Sequence, residues 1–153
     1  MKKLNLIFIF VFLFCSFVSC TRDFSAKSLI DEFLYSYSAE GIVYSPECAE
    51  GEDGYVYEGF TDKIYIYEGA FPENFAIFLN SHADYGAECG VFVCEDEDER
   101  ARVTDMCEER IDILARGSEN AFLARSGNVV FYSTMSDRAR AEEIWRKIIR
   151  AHT

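Results

Sequence analysis

The chain is short of positive charge. Fifteen Lys and Arg face 27 Asp and Glu, a net of −12. No broad cationic face remains to neutralise phosphates, which argues against a nucleic-acid partner. Histidine is scarcer still: His82 and His152 are the only two. His82-Ala-Asp84 places two ligand-type side chains in a turn, but one His and one Asp do not make a metal centre, and a surface turn accounts for them. His152, one residue from the end, reads as frayed. No Gly-x-Ser-x-Gly elbow, His-Glu-x-x-His helix, Walker loop or dinucleotide fingerprint occurs, so no cofactor and no reaction is written in a motif. Cys-x-x-Cys is absent, which removes a thioredoxin-like centre. No repeat, low-complexity tract or long Ser/Gly/Pro linker appears. Apolar residues are what the chain has in quantity. They make up half of it, which excludes a disordered acidic tail, and 153 residues suit about one domain.

The opening, MKKLNLIFIFVFLFCSFVSC, is a separate object. Lys2 and Lys3 precede an apolar run from Leu4 to Val18. A spanning helix needs about 20 apolar residues; this run is shorter and ends in small and polar ones. It reads as a signal peptide over residues 1–19, with an uncleaved anchor helix as the rival. Cys15, inside the run, is a small hydrophobe. Phe17-Val18-Ser19-Cys20 resembles the lipobox of bacterial lipoproteins, with Phe17 where Leu is usual. The resemblance implies that Cys20 carries a diacylglycerol thioether with palmitate-type chains and becomes the mature N-terminus. Two or more acyl chains anchor stably where one does not. Residues 20–24 are then a lipid-anchored tether and residues 25–150 a single domain outside the cytoplasm, held to the bacterial cell membrane. Cleavage near Cys20 without lipid is the alternative.

Charge is unevenly spread. Residues 21–99 hold 3 basic and 19 acidic groups, residues 100–153 hold 10 basic and 8 acidic. The acidic half is repelled by an anionic lipid surface and steers cationic partners; solubility explains the bias equally well.

Leu29, Phe33 and Tyr37, with Ile30 and Leu34 beside them, form one face of a helix that ends before Gly41, with Ser25 or Asp23 as its cap. Residues 41–62 read mostly as loop, with a short strand at Tyr55–Glu58. Lys63–Glu68, Phe75–Leu79 and Cys89–Cys94 are strand candidates, the last two apolar on both faces. Glu95–Glu99 starts the next helix: Asp96 suits the cap and acids complement the dipole. Glu97 and Glu99 therefore read as a solvated cap rather than an acid–base pair, and the run lacks the central Gly of an EF-hand loop. That helix buries Val103, Met106, Cys107, Ile111 and Leu114 and stops at Gly117. Residues 118–127 are a connection with a helical turn around Asn120–Ala124. Asn128–Tyr132 is a fourth strand, Thr134–Asp137 a capping box, and the last helix buries Ala141, Ile144, Trp145, Ile148 and Ile149. The fold class is α+β: a small mixed or antiparallel sheet of about four strands, order α-β-β-β-α-β-α, covered by helices on one side.

The signal ending at Cys20, the Glu-headed strand Glu88-Cys-Gly-Val-Phe-Val93, the Arg-bearing helix with Glu109-Arg110-Ile111, and the strand Gly127-Asn-Val-Val-Phe131 together resemble a family of small bacterial, mostly Gram-positive, lipoproteins defined only as a domain of unknown function. The resemblance covers roughly residues 60–150. Phe122 stands near the place where that family often has a Tyr, and the extra cysteines depart from its pattern. It implies a location, not an activity.

Four cysteines lie outside the opening: Cys48, Cys89, Cys94 and Cys107. Export permits disulfides, and four cysteines allow three pairings. Cys89 and Cys94 sit about 16 Å apart on an extended strand, too far for a bridge, which needs Cα atoms within about 7 Å. Two bridges would then join Cys48 to one of them and Cys107 to the other; Cys48–Cys89 with Cys94–Cys107 is the favoured pairing, its second bridge worth about 3 kcal/mol by loop-closure entropy. Buried free thiols are the alternative; a zinc site is barely approached by the 89–94 spacing. Tyrosines crowd the first half of the chain. Tyr65 and Tyr67 share a strand face opposite Ile64 and Ile66. They form either an exposed aromatic surface for a peptide or glycan or a face covered by the first helix.

These readings describe a membrane-anchored extracytoplasmic domain with a binding or structural role in the cell envelope, meeting an envelope protein, peptide or glycan. The alternatives are an envelope enzyme, such as a hydrolase, whose polar groups converge only on folding, and a secreted interaction domain without lipid.

Overall fold

The computed structural model describes residues 25–80, 87–115 and 119–152. Cys20, the opening segment, His82 with Asp84, and the Gly117 stop lie outside the described residues. The fold is mixed α+β, with three helices and an antiparallel sheet.

Helix α1 (Ala26–Tyr37) begins where Ser25, in extended backbone, accepts the Ser28 N–H at 3.3 Å, while Asn74 Oδ1 accepts the Ala26 N–H at 2.9 Å. It stops at Ser38, whose left-handed φ of 64° lets its N–H reach the Leu34 carbonyl at 2.8 Å. Strands β1 (Gly41–Tyr44), β2 (Asn74–Asn80) and β3 (Glu88–Val93) follow, then helix α2 (Glu97–Ala115), the hairpin of β4 (Phe122–Ser126) and β5 (Val129–Ser133), and helix α3 (Arg138–His152). The strand order across the sheet is β1-β2-β3-β5-β4, every neighbour antiparallel.

Alternation sorts the strand residues into two cores. Ala76, Phe78, Cys89, Val91, Val129 and Phe131 face α1 and α3, where Trp145 stacks on Phe131 at 4.0 Å between centroids. Phe75, Ile77, Phe92, Val130 and Tyr132 face the other way, against α2 and the irregular segment 45–73. The sheet is thus covered on both faces, not on one. The runs in β2 and β3 that are apolar throughout require this, since each side needs its own cover.

Four further expectations are corrected. Lys63–Glu68 is not a strand: a 3-10 turn at Thr61–Lys63 precedes it, with the Ile64 and Tyr65 N–H groups both bonded to the Thr61 carbonyl. Its branched and aromatic residues cover a sheet instead of joining one. The first strand is Gly41–Tyr44, inside the stretch read as loop. The connection read at 118–127, with a helical turn around Asn120–Ala124, holds instead the edge strand β4 (Phe122–Ser126), joined to β5 through Gly127, whose φ of 59° suits a two-residue hairpin turn. The cap of α3 is Asp137, which accepts the Arg140 N–H at 3.0 Å; Thr134 turns back to β3 instead. Asp96 caps α2 as expected, accepting the Glu99 N–H at 2.7 Å.

The disulfide pairing is also wrong. Cys48, Cys89, Cys94 and Cys107 are all free thiols. Cys89 faces the α1/α3 core and Cys48 sits against the Val43 carbonyl beside the edge strand. Cys94 and Cys107 share the second core, near enough that a charge on Cys94 raises the Cys107 pKa, but are not bonded.

Candidate functional site: a buried carboxylate–guanidinium–phenol cluster

Glu88 is the only buried charged residue among the described residues. As the first residue of β3 it shares a face with Gly90 and Phe92, so its carboxylate points into the second core. Arg110, on the fourth turn of α2, meets it in fork geometry: Nε to Oε1 at 2.9 Å and Nη2 to Oε2 at 2.6 Å. Side-chain exposure is 4% for Glu88 and 15% for Arg110.

Tyr132 on β5 donates its hydroxyl to Glu88 Oε1. That spends its only proton, so in the 2.6 Å contact between the Tyr65 and Tyr132 hydroxyls Tyr65 is the donor. The Arg110 guanidinium also lies 5.9 Å from the Tyr65 ring centroid. At the backbone, the Glu88 N–H donates to Thr134 Oγ1 at 3.0 Å and the Glu88 carbonyl accepts the Thr134 N–H at 2.9 Å.

Gly90 makes room for this. It stands opposite Tyr132 in the β3–β5 register, and a Cβ there would lie 2.5 Å from Tyr132 Cε1. The missing side chain lets the ring cross β3 towards Glu88.

Electrostatics acts on the partners of Glu88. Burial works against the Arg110 charge, but the Glu88 hydrogen bonds and charge outweigh it and raise its pKa above the ordinary value. Burial raises the Tyr65 and Tyr132 phenols well above theirs, with the Glu88 charge adding to both and Tyr65 adding to Tyr132, while the hydrogen bond to Tyr132 acts the other way on Tyr65. Both phenols are therefore neutral donors at neutral pH. Burial likewise raises the Cys89 and Cys107 thiols and pushes Cys94 up to about 11. These thiols are not activated nucleophiles.

An open cleft of about 360 Å³ lies between the first half of α2 and the β4–β5 turn, lined by Glu97, Arg100, Ala101, Thr104, Arg125 and Gly127. Arg100 is committed within it, to the Gly127 carbonyl at 2.6 Å and Glu97 Oε1 at 3.1 Å. Thr104 donates its hydroxyl to the Arg100 carbonyl at 2.7 Å, so no base activates it. Glu97 and Glu99 sit at the exposed start of α2 as a cap. Among the described residues no three His, Cys, Asp or Glu side chains gather in a way that suits a metal ion.

Tyr65 lies in the second core, only 5% exposed, and Tyr67 is half-buried beside it, while Ile66 is 63% exposed. The Tyr65–Tyr67 aromatic surface is thus corrected. Tyr65 is covered, against α2 and the sheet rather than under the first helix, and its hydroxyl turns inward. Glu88 and Arg110 entered the sequence reading only through the family resemblance; the structure brings these two together. Tyr132 and Gly90 were missed. An acid heading an otherwise apolar strand, with a Gly two residues later, is the signal that pointed to them.

No protein-family model, no curated protein and no solved structure matches the chain.

Proposed function

We propose that the chain is an extracytoplasmic lipoprotein, anchored to the bacterial membrane through Cys20, whose domain binds or scaffolds in the cell envelope. The observation that carries the second half is the closure of the Glu88 cluster. Its carboxylate is shielded from solvent and accepts three hydrogen bonds from Arg110 and Tyr132, so it is engaged within the core rather than presented to a substrate as acid or base. The anchor is supported by the opening segment and by Val18-Ser19-Cys20.

Mass spectrometry of the mature N-terminus tests the anchor. Residues 1–19 are expected to be absent and Cys20 to carry a diacylglyceryl group; an intact, soluble cytosolic precursor overturns it. Pull-down of the lipidated form from native envelope is expected to retain an envelope protein, peptide or glycan. Hydrolysis of a broad ester, peptide and glycan panel that is lost in Glu88→Gln overturns the binding reading in favour of an enzyme.

A further inference from the structure

We propose that the last two turns of α3 are a docking surface for anionic lipid headgroups, so that the tethered domain lies with its α1/α3 layer on the membrane and its acidic layer outward. This rests on the anchor reading above. The first support is charge segregation across the sheet. Helices α1 and α3 carry six Lys and Arg against four Asp and Glu; segment 45–73 and α2, on the other face, carry four against fifteen. From residue 144 to 152 α3 has no acid at all, and Arg146, Lys147 and Arg150 are exposed there. Burial of Trp145 and Ile148 in the core fixes the turn of the helix and so holds those three cations outward. Asp31 is paired with Lys27 and Glu32 meets His152; within α3, Glu142 pairs with Arg138 and Arg146 and Glu143 with Lys147, and five cations against these two carboxylates leave the helix a net charge of +3.

The second support is where the chain leaves the fold. Four residues separate Cys20 from Ser25, five steps of chain that reach at most about 18 Å. Ser25 opens α1, and α1 runs antiparallel to α3: Arg140 reaches the Ser36 carbonyl, while His152 meets Glu32 at 2.9 Å. Glu32 is six residues, about 9 Å along the helix axis, from Ala26. The cationic end of α3 therefore lies at the end of the domain from which the tether leaves, and a tether of that reach lets it come down to the membrane, where the surface potential acts within about 10 Å before salt screens it. The opposite layer is repelled from the same surface.

The lysines supply an internal readout. Beyond the signal segment the chain has only Lys27, Lys63 and Lys147. Lys147 is on the proposed surface and Lys63 is exposed in the acidic layer. The full lipidated protein, reconstituted in vesicles of phosphatidylcholine with or without phosphatidylglycerol, is treated with an uncharged acetylating reagent and mapped by mass spectrometry. Lys147 is expected to react about fivefold more slowly on the anionic vesicles, the scale of one cation held at such a surface, with Lys63 unchanged. High salt, or the exposed double substitution Arg146→Gln/Arg150→Gln, is expected to remove the difference. Equal Lys147 rates on both vesicles, with Cys20 lipidated, overturn the docking surface and leave the anchor standing. Slowing of Lys63 together with Lys147 also overturns the orientation. An unmodified Cys20, with no sedimentation on either vesicle, overturns the anchor and the docking surface together.

Discussion

The two faces of the sheet solve one problem differently. On one, α1 and α3 lay regular apolar stripes over Phe78, Val91 and Phe131, and the core holds no charged side chain. On the other, a single helix and an irregular aromatic segment cover Phe75, Phe92 and Tyr132, and an ion pair lies buried among them. Two packed helices exclude water by periodicity alone. One helix leaves part of the sheet open, and here the gap is filled by Phe60, Tyr65 and Phe71 and by a polar cluster satisfied within itself. The second face therefore depends on a few specific partners, the first on total apolar area.

Removing one partner should expose that difference most. Glu88→Ala leaves the Arg110 charge and the Tyr132 hydroxyl unpaired under cover and is expected to destabilise by about 3–5 kcal/mol, read as a lower urea midpoint. Replacing both partners, Glu88→Leu with Arg110→Met, should recover most of that loss, because an apolar pair of similar volume is tolerated where a lone charge is not. On the first face, Phe131→Ala is expected to cost a comparable 3–5 kcal/mol, but no second substitution recovers it short of refilling the cavity. Equal behaviour of the two faces in the paired substitution would break the comparison.

The next effect is set by pH. Four groups of the second core, Cys94, Cys107, Tyr65 and Tyr132, have folded pKa values raised by burial, against Cys89 alone on the first. A raised folded pKa means that the fold favours the neutral form. The stability is fully present below the unfolded pKa and is lost as pH rises towards the folded one. For Cys94 that window runs from 9 to about 11. Urea midpoints should fall through this range, with the double substitution Cys94→Ala/Cys107→Ala flattening the fall more than Cys89→Ala alone. A smaller, steric effect is expected from Gly90→Ala, whose Cβ would lie 2.5 Å from Tyr132 Cε1 and 3.1 Å from Phe92 Cε2. It should cost about 1–3 kcal/mol by overpacking. Adding Tyr132→Phe should not relieve it, since the conflict is with a ring carbon.

The same contrast explains what could be read in the chain. Leu29, Ile30 and Phe33 announce α1, and Ala141, Trp145 and Ile148 announce α3, because a regular helix repeats its buried face. Val103, Met106 and Cys107 do the same for α2. Lys63–Glu68 misled because alternating Ile and Tyr residues suit any half-buried pleated surface, and the residues that cover a sheet look like those within it. The edge strand β4 was hidden by Arg125 and Ser126, whose polarity fits an exposed edge but not a strand pattern. The Ser-Gly-Asn turn after it was the usable signal. Of the cluster, Glu88 and Arg110 were visible only by resemblance, since 22 residues separate them and only the register and the rise of α2 bring them together.

The smallest effect is the sharpest test of how the cluster is wired. Tyr65 donates to Tyr132, which donates to Glu88, so the chain of protons runs one way. Tyr65→Phe removes a donor but leaves Tyr132 still bonded to the carboxylate; about 0.5–1.5 kcal/mol is expected, the net worth of one hydrogen bond. Tyr132→Phe removes the middle link, stranding the Tyr65 hydroxyl and stripping one bond from Glu88, and should cost more, about 1–3 kcal/mol. In the double variant no hydroxyl is stranded, so its loss should fall below the sum of the two. A double-mutant cycle by urea unfolding reads this directly. Strict additivity would mean that the two phenols act separately, and that the second face, like the first, is held by area rather than by partners.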